Sequence, residues 1–343
     1  MAERSIRMDR TWSWRRFFLR WEWLLVLIFL VVNVVNSTLS PYYLSLDTFI
    51  NMPMTFLDKA FIVLPMTMVI ILGNIDISVG STVALSAVVM AVSYNAGLPM
   101  VLAVFLCLAV ASLCGLVNGL LMTRFRELSS VIVTLTTMII FRGIAYIILE
   151  NQASGKFPTW YSTLGWGSVG GVPVMVIAFV VCAVVFGLLL HRTSFGRRIY
   201  AMGSNLTASR YSGVKTSSVI IIVSVLTGLM AGFTALFLSS RMGSTRPNVA
   251  QGYELEVIAM VVLGGVSTSG GKGTIGGPLL AILIIGFLNY GLGLVNIQAE
   301  DLLIIVGLLL ILSVLVLNVG FGSRKKRPSP SAREESRSQE EDL

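Results

Sequence analysis

Long apolar runs alternate with short polar segments along most of the chain, from Trp23 to Val319. Each run is close to the roughly 20 residues that a helix needs to cross the hydrocarbon core of a membrane. Polar and apolar residues do not alternate with a period of two inside the runs, which excludes the strands of a membrane barrel. We therefore expect an all-α integral membrane protein with about ten transmembrane helices. The predicted spans are 23–40, 54–73, 81–95, 98–122, 130–149, 172–190, 217–239, 255–271, 274–295 and 301–319.

The composition agrees with a membrane protein, because 55% of the 343 residues are hydrophobic and only 12% are charged. A soluble domain contains roughly 25% charged residues. The net charge of +8 comes from basic residues beside the apolar runs. That placement orients membrane helices and does not indicate nucleic acid binding. With the N-terminus inside, 20 of the 25 Lys and Arg residues fall on the cytoplasmic side, which predicts that both termini are cytoplasmic.

The chain divides into three segments by composition. A basic cytoplasmic segment at 1–22 precedes a transmembrane domain at 23–319, and a Ser-, Pro- and charge-rich cytoplasmic tail at 320–343 follows. The composition of the tail is typical of disorder. His191 is the sole histidine, so a metal cluster of several histidines cannot be built. We therefore expect no metal site and no catalytic residue.

A polar, glycine-containing break interrupts the apolar pattern after the second span. The sequence LGNIDISVG at 72–80 recurs as LGGVSTSGG at 263–271, and an offset of 191 aligns four identical residues. Such breaks at corresponding places in two pseudo-repeated halves indicate a translocation site between the halves. Irregular backbone at membrane depth is tolerated only where it is buried in protein or lines a cavity. We predict a translocation pathway lined by polar or small residues in and near the breaks, namely Asn74, Asp76, Ser78, Gly80, Asn118, Thr134, Ser267 and Ser269.

Asp76 has two interpretations. An acid at membrane depth is costly and is by default a functional candidate. Asp76 is equally well placed to cap the helix that begins near Ser78, which is a structural role. The two roles are compatible, since a capping acid can hold a loop that shapes a pore. For Arg142, in the fifth predicted span, we expect a structural role as the partner of Glu150 or of another acid.

The longest predicted cytoplasmic segment between spans covers 191–216 and carries five basic residues and no acidic one. The positive-inside rule, by which basic residues collect in cytoplasmic loops, would by itself explain this excess of basic residues. The stretch NLTASRYSGV at 205–214, however, has the pattern of a short amphipathic helix that ends at Gly213. A simple connector would not need such a helix.

Four stretches occur in a recognisable order: LGNIDISVGS, LVNGLLMTRFRELSSVIVTLTTM, TSFGRRIYAMGSNLTASRYSGV and YELEVIAMVVLGGVSTSGGKGTIGG. They resemble the inner-membrane permease subunits of bacterial ABC importers for ribose and related monosaccharides. The xylose, rhamnose and autoinducer-2 permeases belong to the same group. The resemblance extends from about residue 44 to residue 318.

This resemblance implies a ten-helix permease in the bacterial inner membrane, surrounded by lipid and paired with an identical or a different permease chain. It implies a cytoplasmic ATPase partner that binds ATP and Mg²⁺, a periplasmic sugar-binding protein that delivers the solute, and no cofactor on this chain. The segment at 196–214 then resembles the part of such permeases that docks onto the ATPase. The residues at matching positions are Gly196, Arg197, Gly203, Asn205, Ala208 and Gly213.

Two other functions are consistent with a polytopic membrane protein. An ion-coupled secondary transporter of a small polar solute would use Asp76 as its coupling acid. An integral membrane enzyme fits least well, because no span carries paired carboxylates or a nucleophile with a base partner. The basic segment at 191–216 favours the ABC importer over the secondary transporter.

Overall fold

The computed structural model describes residues 21–297 together with residues 304, 307, 308 and 311. Apart from those last four residues, the predicted tenth span lies outside the described part, as do residues 1–20 and the predicted tail at 320–343. The described helices are α1 Trp21–Leu39, α2 Leu46–Asn51, α3 Pro53–Ile71, α4 Val79–Asn95, α5 Met100–Arg124, α6 Ser130–Leu149, α7 Thr159–Trp166, α8 Val174–Arg192, α9 Ser194–Ser204, α10 Leu206–Tyr211, α11 Thr216–Met242, α12 Tyr253–Leu263 and α13 Gly276–Leu294.

Seven apolar helical stretches in the described part are long enough to cross a membrane, and α4 is a shorter apolar helix of 17 residues. An all-helical membrane protein is therefore confirmed. The predicted extent of the eighth span, 255–271, is wrong. The helix there is α12, which has 11 residues and ends at Leu263. At 1.5 Å per residue it covers about half of the roughly 30 Å hydrocarbon core, and irregular backbone continues from both of its ends.

Helix α3 lies at the centre of the bundle. In the most apolar stretch of Thr48–Ile71, which contains α3, 94% of the residues are buried. The corresponding share for α1, at the periphery, is 17%. Helices α8, α11, α12 and α13 pack around it. A helix that is apolar on every side is stable only where neighbours surround it, which is the position that α3 occupies.

Helices α5 and α11 make the most extensive helix–helix contact of the described fold. Each carries a small-xxx-small pair at the contact, formed by Gly115 and Gly119 on α5 and by Gly228 and Gly232 on α11. A Cβ atom on Gly228 would lie 3.0 Å from the Cα of Gly115. Small residues allow this close approach of two helix backbones in a membrane, where dispersion contacts drive association.

The connections gather at two ends of the bundle, because consecutive long helices run in opposite directions. One end carries α9 and α10 and is called the α9 end. The other carries α7 and two small antiparallel ladders and is called the α7 end. Strand β1 (Ser154–Gly155) pairs there with β4 (Ser244–Thr245), and β2 (Ser168–Val169) pairs with β3 (Val172–Pro173).

An ionic network fixes α12 against α3 and α11. Asp58 is fully buried, and its Oδ2 accepts hydrogen bonds from Arg241 Nη2 at 2.8 Å and from the Tyr253 hydroxyl at 3.2 Å. Lys59, the next residue of α3, forms an ion pair with Glu256 of α12. Charges buried among apolar helices are tolerated when they are paired, and here the pairs join three helices.

Candidate functional site

The first break begins with a glycine cap on α3. Gly73 has a φ of +80°, and its N–H donates to the carbonyl of Ile70 at 2.9 Å. The N–H of Asn74 donates to the carbonyl of Val69 at 3.1 Å. These two bonds form a Schellman motif, which satisfies carbonyls that the end of a helix leaves free.

The second break begins with the same motif. The N–H of Gly265, at a φ of +83°, donates to the carbonyl of Val262, and the N–H of Val266 donates to that of Val261. Gly73 therefore corresponds to Gly265, which is one residue away from the pairing that sequence identity gave. The helix ends fix this register, because the left-handed conformation must follow the last turn of each helix.

The two breaks differ in length and in burial. The first covers 72–78, whereas the second covers 264–275 before α13 begins. Ser78 is 1% exposed, but Ser269 is exposed and Ser267 is half-buried. No described hydrogen bond joins either serine of the second break to the residues around Asp76. The sequence prediction grouped all three serines, and the structure does not bring them together.

Asp76 holds the first break in place. Its carboxyl group is buried, and Oδ1 accepts from the backbone N–H of Ser78 at 2.9 Å and from the Ser78 hydroxyl at 2.7 Å. Asn118, on α5, donates from Nδ2 to the same hydroxyl oxygen at 2.7 Å. The Oδ1 of Asn118 is buried and has no hydrogen-bond partner in the described part of the chain. Asp76, Ser78 and Asn118 therefore form one cluster. The N-cap of α4 is Ser78, and Asp76 bonds to this residue instead of capping the helix itself, so the function of Asp76 stays a prediction.

Helix α6 satisfies the backbone of the same break from the other side. The Oγ1 of Thr134 accepts from the N–H of Ile77 at 3.2 Å, and the Oγ of Ser130 accepts from the N–H of Ile75 at 3.1 Å. Thr134 therefore lies beside the first break, and its predicted place in the translocation pathway stays a prediction. Ser130 was not among the predicted site residues, since a serine at a helix start is typical of a cap. Asn74 is half-buried beside these residues.

Gly80 faces the irregular segment that leads into α12. A Cβ at Gly80 would lie 2.6 Å from the carbonyl oxygen of Ala250 and would overlap the carboxylate of Glu254. The first turn of α4, which directly follows the first break, thus lies against the segment 246–252. Only glycine fits where this helix meets the irregular segment.

Arg142 holds the segment 246–252 against α6. Its Nη1 donates to the carbonyl oxygens of Pro247 and Val249, both at 2.7 Å. Arg142 forms no ion pair with Glu150, which ends α6 about two turns away, or with any other described acid; it binds backbone carbonyls instead. The guanidinium satisfies carbonyls that have no helix or strand partner, as irregular backbone in a membrane requires.

The two breaks meet at the C-terminal end of α9. The N–H of Gly271 donates to the carbonyl oxygen of Ile71 at 2.8 Å. Gly203 of α9 packs directly on this bond: a Cβ there would overlap the Ile71 oxygen and lie 2.5 Å from the Gly271 nitrogen. The Tyr200 hydroxyl donates to the carbonyl of Gly273 at 2.7 Å, and burial raises the pKa of this phenol.

The segment that carries the coupling candidates folds as two helices, α9 and α10, where the sequence predicted one. Gly196 packs against the carbonyl of Leu190, and Asn205 Oδ1 caps α10 by accepting from the N–H of Ala208 at 2.9 Å. The predicted stop is confirmed, since Gly213 follows α10 at a φ of +81°. The side chains of Arg197 and Ala208 are exposed.

Several residues of this region escaped the sequence prediction. Glu254 faces Gly80, Asp58 and Glu256 lie in the ionic network, and Tyr200 binds the second break. An acid inside an apolar run was the criterion that selected Asp76, and it applies equally to these three acids. Tyr200 offered no such signal, because a tyrosine in an amphipathic helix is common.

Comparison with known proteins gives consistent results. A family model described as "Branched-chain amino acid transport system / permease component" matches residues 49–314. The ribose import permease protein RbsC of Bacillus subtilis (strain 168) is 37% identical over 291 residues, covering 84% of this chain and 90% of that protein. The autoinducer 2 import system permease protein LsrD of Yersinia enterocolitica is 36% identical over 266 residues, covering 76% and 80%. RbsC of Escherichia coli (strain K12) is 35% identical over 317 residues, covering 90% and 98%. No solved structure matches the chain.

Proposed function

The chain belongs to the family of permease components of the branched-chain amino acid transport type, and on that premise we propose that it imports a monosaccharide or sugar-like solute. It is a multi-pass transport subunit of the inner membrane and not an enzyme. The relatives that match along nearly their whole length are named for ribose and for autoinducer 2, and this supports a small polyhydroxylated cargo.

We propose that ATP hydrolysis on a separate cytoplasmic ATPase, with its Mg²⁺, drives transport. A periplasmic binding protein would deliver the solute, and a second permease chain, identical or different, would complete the channel. In this arrangement the chain has ten spans, both termini are cytoplasmic and the α9 end faces the cytoplasm. The excess of Lys and Arg in the segments of the α9 end supports this orientation.

The observation that carries the proposal is the contact between α9 and both breaks. Gly203 touches the Ile71 carbonyl and the Gly271 N–H at once, so a displacement of α9 acts on both breaks together. The exposed residues Arg197 and Ala208 would contact the ATPase, while the remaining coupling candidates, Gly196, Asn205 and Gly213, set the shape of the two helices.

We propose that the residues predicted from the sequence to line the translocation pathway do so. Asn74, Asp76, Ser78, Gly80, Asn118 and Thr134 would line or shape the central part, and Ser267 and Ser269 would lie at its cytoplasmic mouth. Both bonds from Ser78 end on one carboxyl oxygen of Asp76 and hold the first break in place, which supports a positioning role for Asp76 in the pathway.

Uptake by cells that lack other sugar importers tests this function. The chain is expressed with its ATPase and binding protein, and uptake of labelled pentoses, deoxyhexoses and autoinducer-2 is measured. We expect uptake of at least one of these solutes, and its loss when the ATPase carries a substitution that blocks hydrolysis. Uptake that persists with the inactive ATPase would contradict the proposal.

A further inference from the structure

Two cavities lie one after the other along the segment that leads into α12. The first, of about 420 Å³, opens near the α7 end, and its lining includes Arg241, Thr245 and Asn248. The second, of about 390 Å³, lies between that segment and α6, and its lining includes Arg142 and Glu254. Gln251 lines both cavities. Their volumes fall in the range of small-molecule sites in proteins.

The residues that line each cavity include some with a buried polar atom that has no hydrogen-bond partner in the described part of the chain. In the first these are the Oγ1 of Thr245, a residue only 1% exposed, and the Nε of Arg241. In the second it is the Oε2 of Glu254. An unpaired buried polar atom costs free energy, and such atoms are rare in native structures.

Gln251 lies between the two cavities, and the residues on either side of it have left-handed backbone conformations. Ala250 has a φ of +55° although it is not glycine, and Gly252 has a φ of +87°. The bonds of Arg142 to Pro247 and Val249 anchor the chain just before this point. The exposed side-chain amide of Gln251 has no hydrogen bond to any other described residue. Strained backbone that persists beside a cavity is typical of functional positions.

We propose that the two cavities are successive binding subsites for an uncharged polyhydroxylated solute, and that the Gln251 amide contacts the solute as it passes between them. This inference rests on the proposed function. Both cavities offer a mixture of polar groups, since Arg241, Arg246 and Asn248 line the first and the oppositely charged Arg142 and Glu254 line the second. Hydroxyl groups both donate and accept, as do the exposed side-chain amides of Gln251 and Asn248.

Cysteine accessibility tests the cavities without knowledge of the cargo. Cys107, Cys114 and Cys182 are replaced by serine, and single cysteines are introduced as Ser244→Cys, Gln251→Cys, Met138→Cys and, as a control on the exposed face of α8, Val181→Cys. A small cationic methanethiosulfonate is applied to vesicles that contain the full complex. We expect the first three positions to react and Val181→Cys to stay unreactive. A Gln251→Cys variant that reacts no faster than Val181→Cys would overturn the inference.

Uptake kinetics test the contact with the solute. Gln251→Leu removes the amide, Gln251→Asn retains it on a shorter side chain, and Leu255→Ala, one turn away on α12 and exposed, is the matched control. We expect Gln251→Leu to raise the KM for uptake roughly tenfold or more, Gln251→Asn to restore part of the loss, and Leu255→Ala to behave as the wild type.

The outcomes separate this inference from the proposed function. Wild-type vesicles with ATP that take up none of the panel sugars refute the proposed function and with it the inference. Normal wild-type uptake combined with an unchanged KM for Gln251→Leu refutes the inference alone.

Discussion

The backbone N–H of Gly271 donates to the carbonyl oxygen of Ile71 at 2.8 Å, and this bond joins two breaks that lie some 200 residues apart in the chain. Ile71 is the last residue of α3, the most buried helix of the described bundle. Gly203 of α9 packs on the bond itself. The end of the central helix, the second break and a surface helix therefore cannot move independently.

Gly203→Ala should uncouple transport from ATP hydrolysis. The added Cβ would overlap the Ile71 oxygen and push α9 away from both breaks. Overpacking of this kind costs about 1–3 kcal/mol, so we expect solute-stimulated ATP hydrolysis to fall roughly tenfold. The control is Gly187→Ala in α8, where a Cβ meets nothing within 4 Å. Equal stimulation in the two variants would show that the contact has no coupling role.

Ala208→Trp should block docking of the ATPase without disturbing the chain. Ala208 is exposed on α10, so the larger side chain meets solvent in the isolated permease. We expect the variant to insert into the membrane normally but to lose co-purification with the ATPase. Ser162→Trp, an exposed position on α7, serves as the control and should leave the complex intact. Recovery of the full complex with Ala208→Trp would show that α10 is not part of the docking surface.

Arg241→Ala should destabilise the fold more than any change at an exposed charge. It leaves Asp58, which is fully buried, without its ionic partner. Breaking a buried pair in this way costs about 3–5 kcal/mol. We expect a clear fall in the thermal unfolding temperature of the purified permease, and no measurable change for Lys156→Ala at the exposed α7 end. Equal melting temperatures would mean that water reaches Asp58.

The sequence predicted the long helices of the described part other than α12, together with the first break and most of the residues around it, because each depends on local chemistry. It did not predict the short helices α2, α7 and α9. The apolar runs located α3 and α5, and the rare acid located Asp76. The predicted span 255–271 overlapped the predicted break at 263–271, and the structure shows that the break ends the helix, since α12 stops at Leu263. The segment before α12 is held by Arg142 across the bundle, and no local pattern shows such a bond.

The alignment of the two breaks is a second feature that the sequence alone did not give correctly. Sequence identity aligned Gly73 with Gly264, whereas the helix ends align Gly73 with Gly265. Two adjacent glycines in the second break make the alignment ambiguous by one residue. Only the hydrogen bonds of the cap decide which glycine is left-handed, and those depend on where α12 ends.

Asp76→Leu and Asp76→Asn should differ in their effect. Leucine removes both hydrogen bonds to Ser78 and leaves buried donors unpaired, at a cost of about 1–3 kcal/mol. Asparagine keeps the size and an accepting oxygen. We expect Asp76→Leu to abolish uptake, with a loss of about one to two orders of magnitude, and Asp76→Asn to retain a measurable part. Identical loss in both variants would point to a role that needs the charge.

The proposed ATP-driven import is tested most directly by measuring which energy source drives uptake. The permease is reconstituted with its ATPase in liposomes, the binding protein and labelled solute are added, and uptake is measured at fixed ATP while the pH gradient is varied. We expect uptake that requires ATP and does not change with the pH gradient, both in the wild type and in Asp76→Asn. Uptake driven by a proton gradient alone, and eliminated by Asp76→Asn, would contradict ATP-driven import and identify an ion-coupled secondary transporter instead.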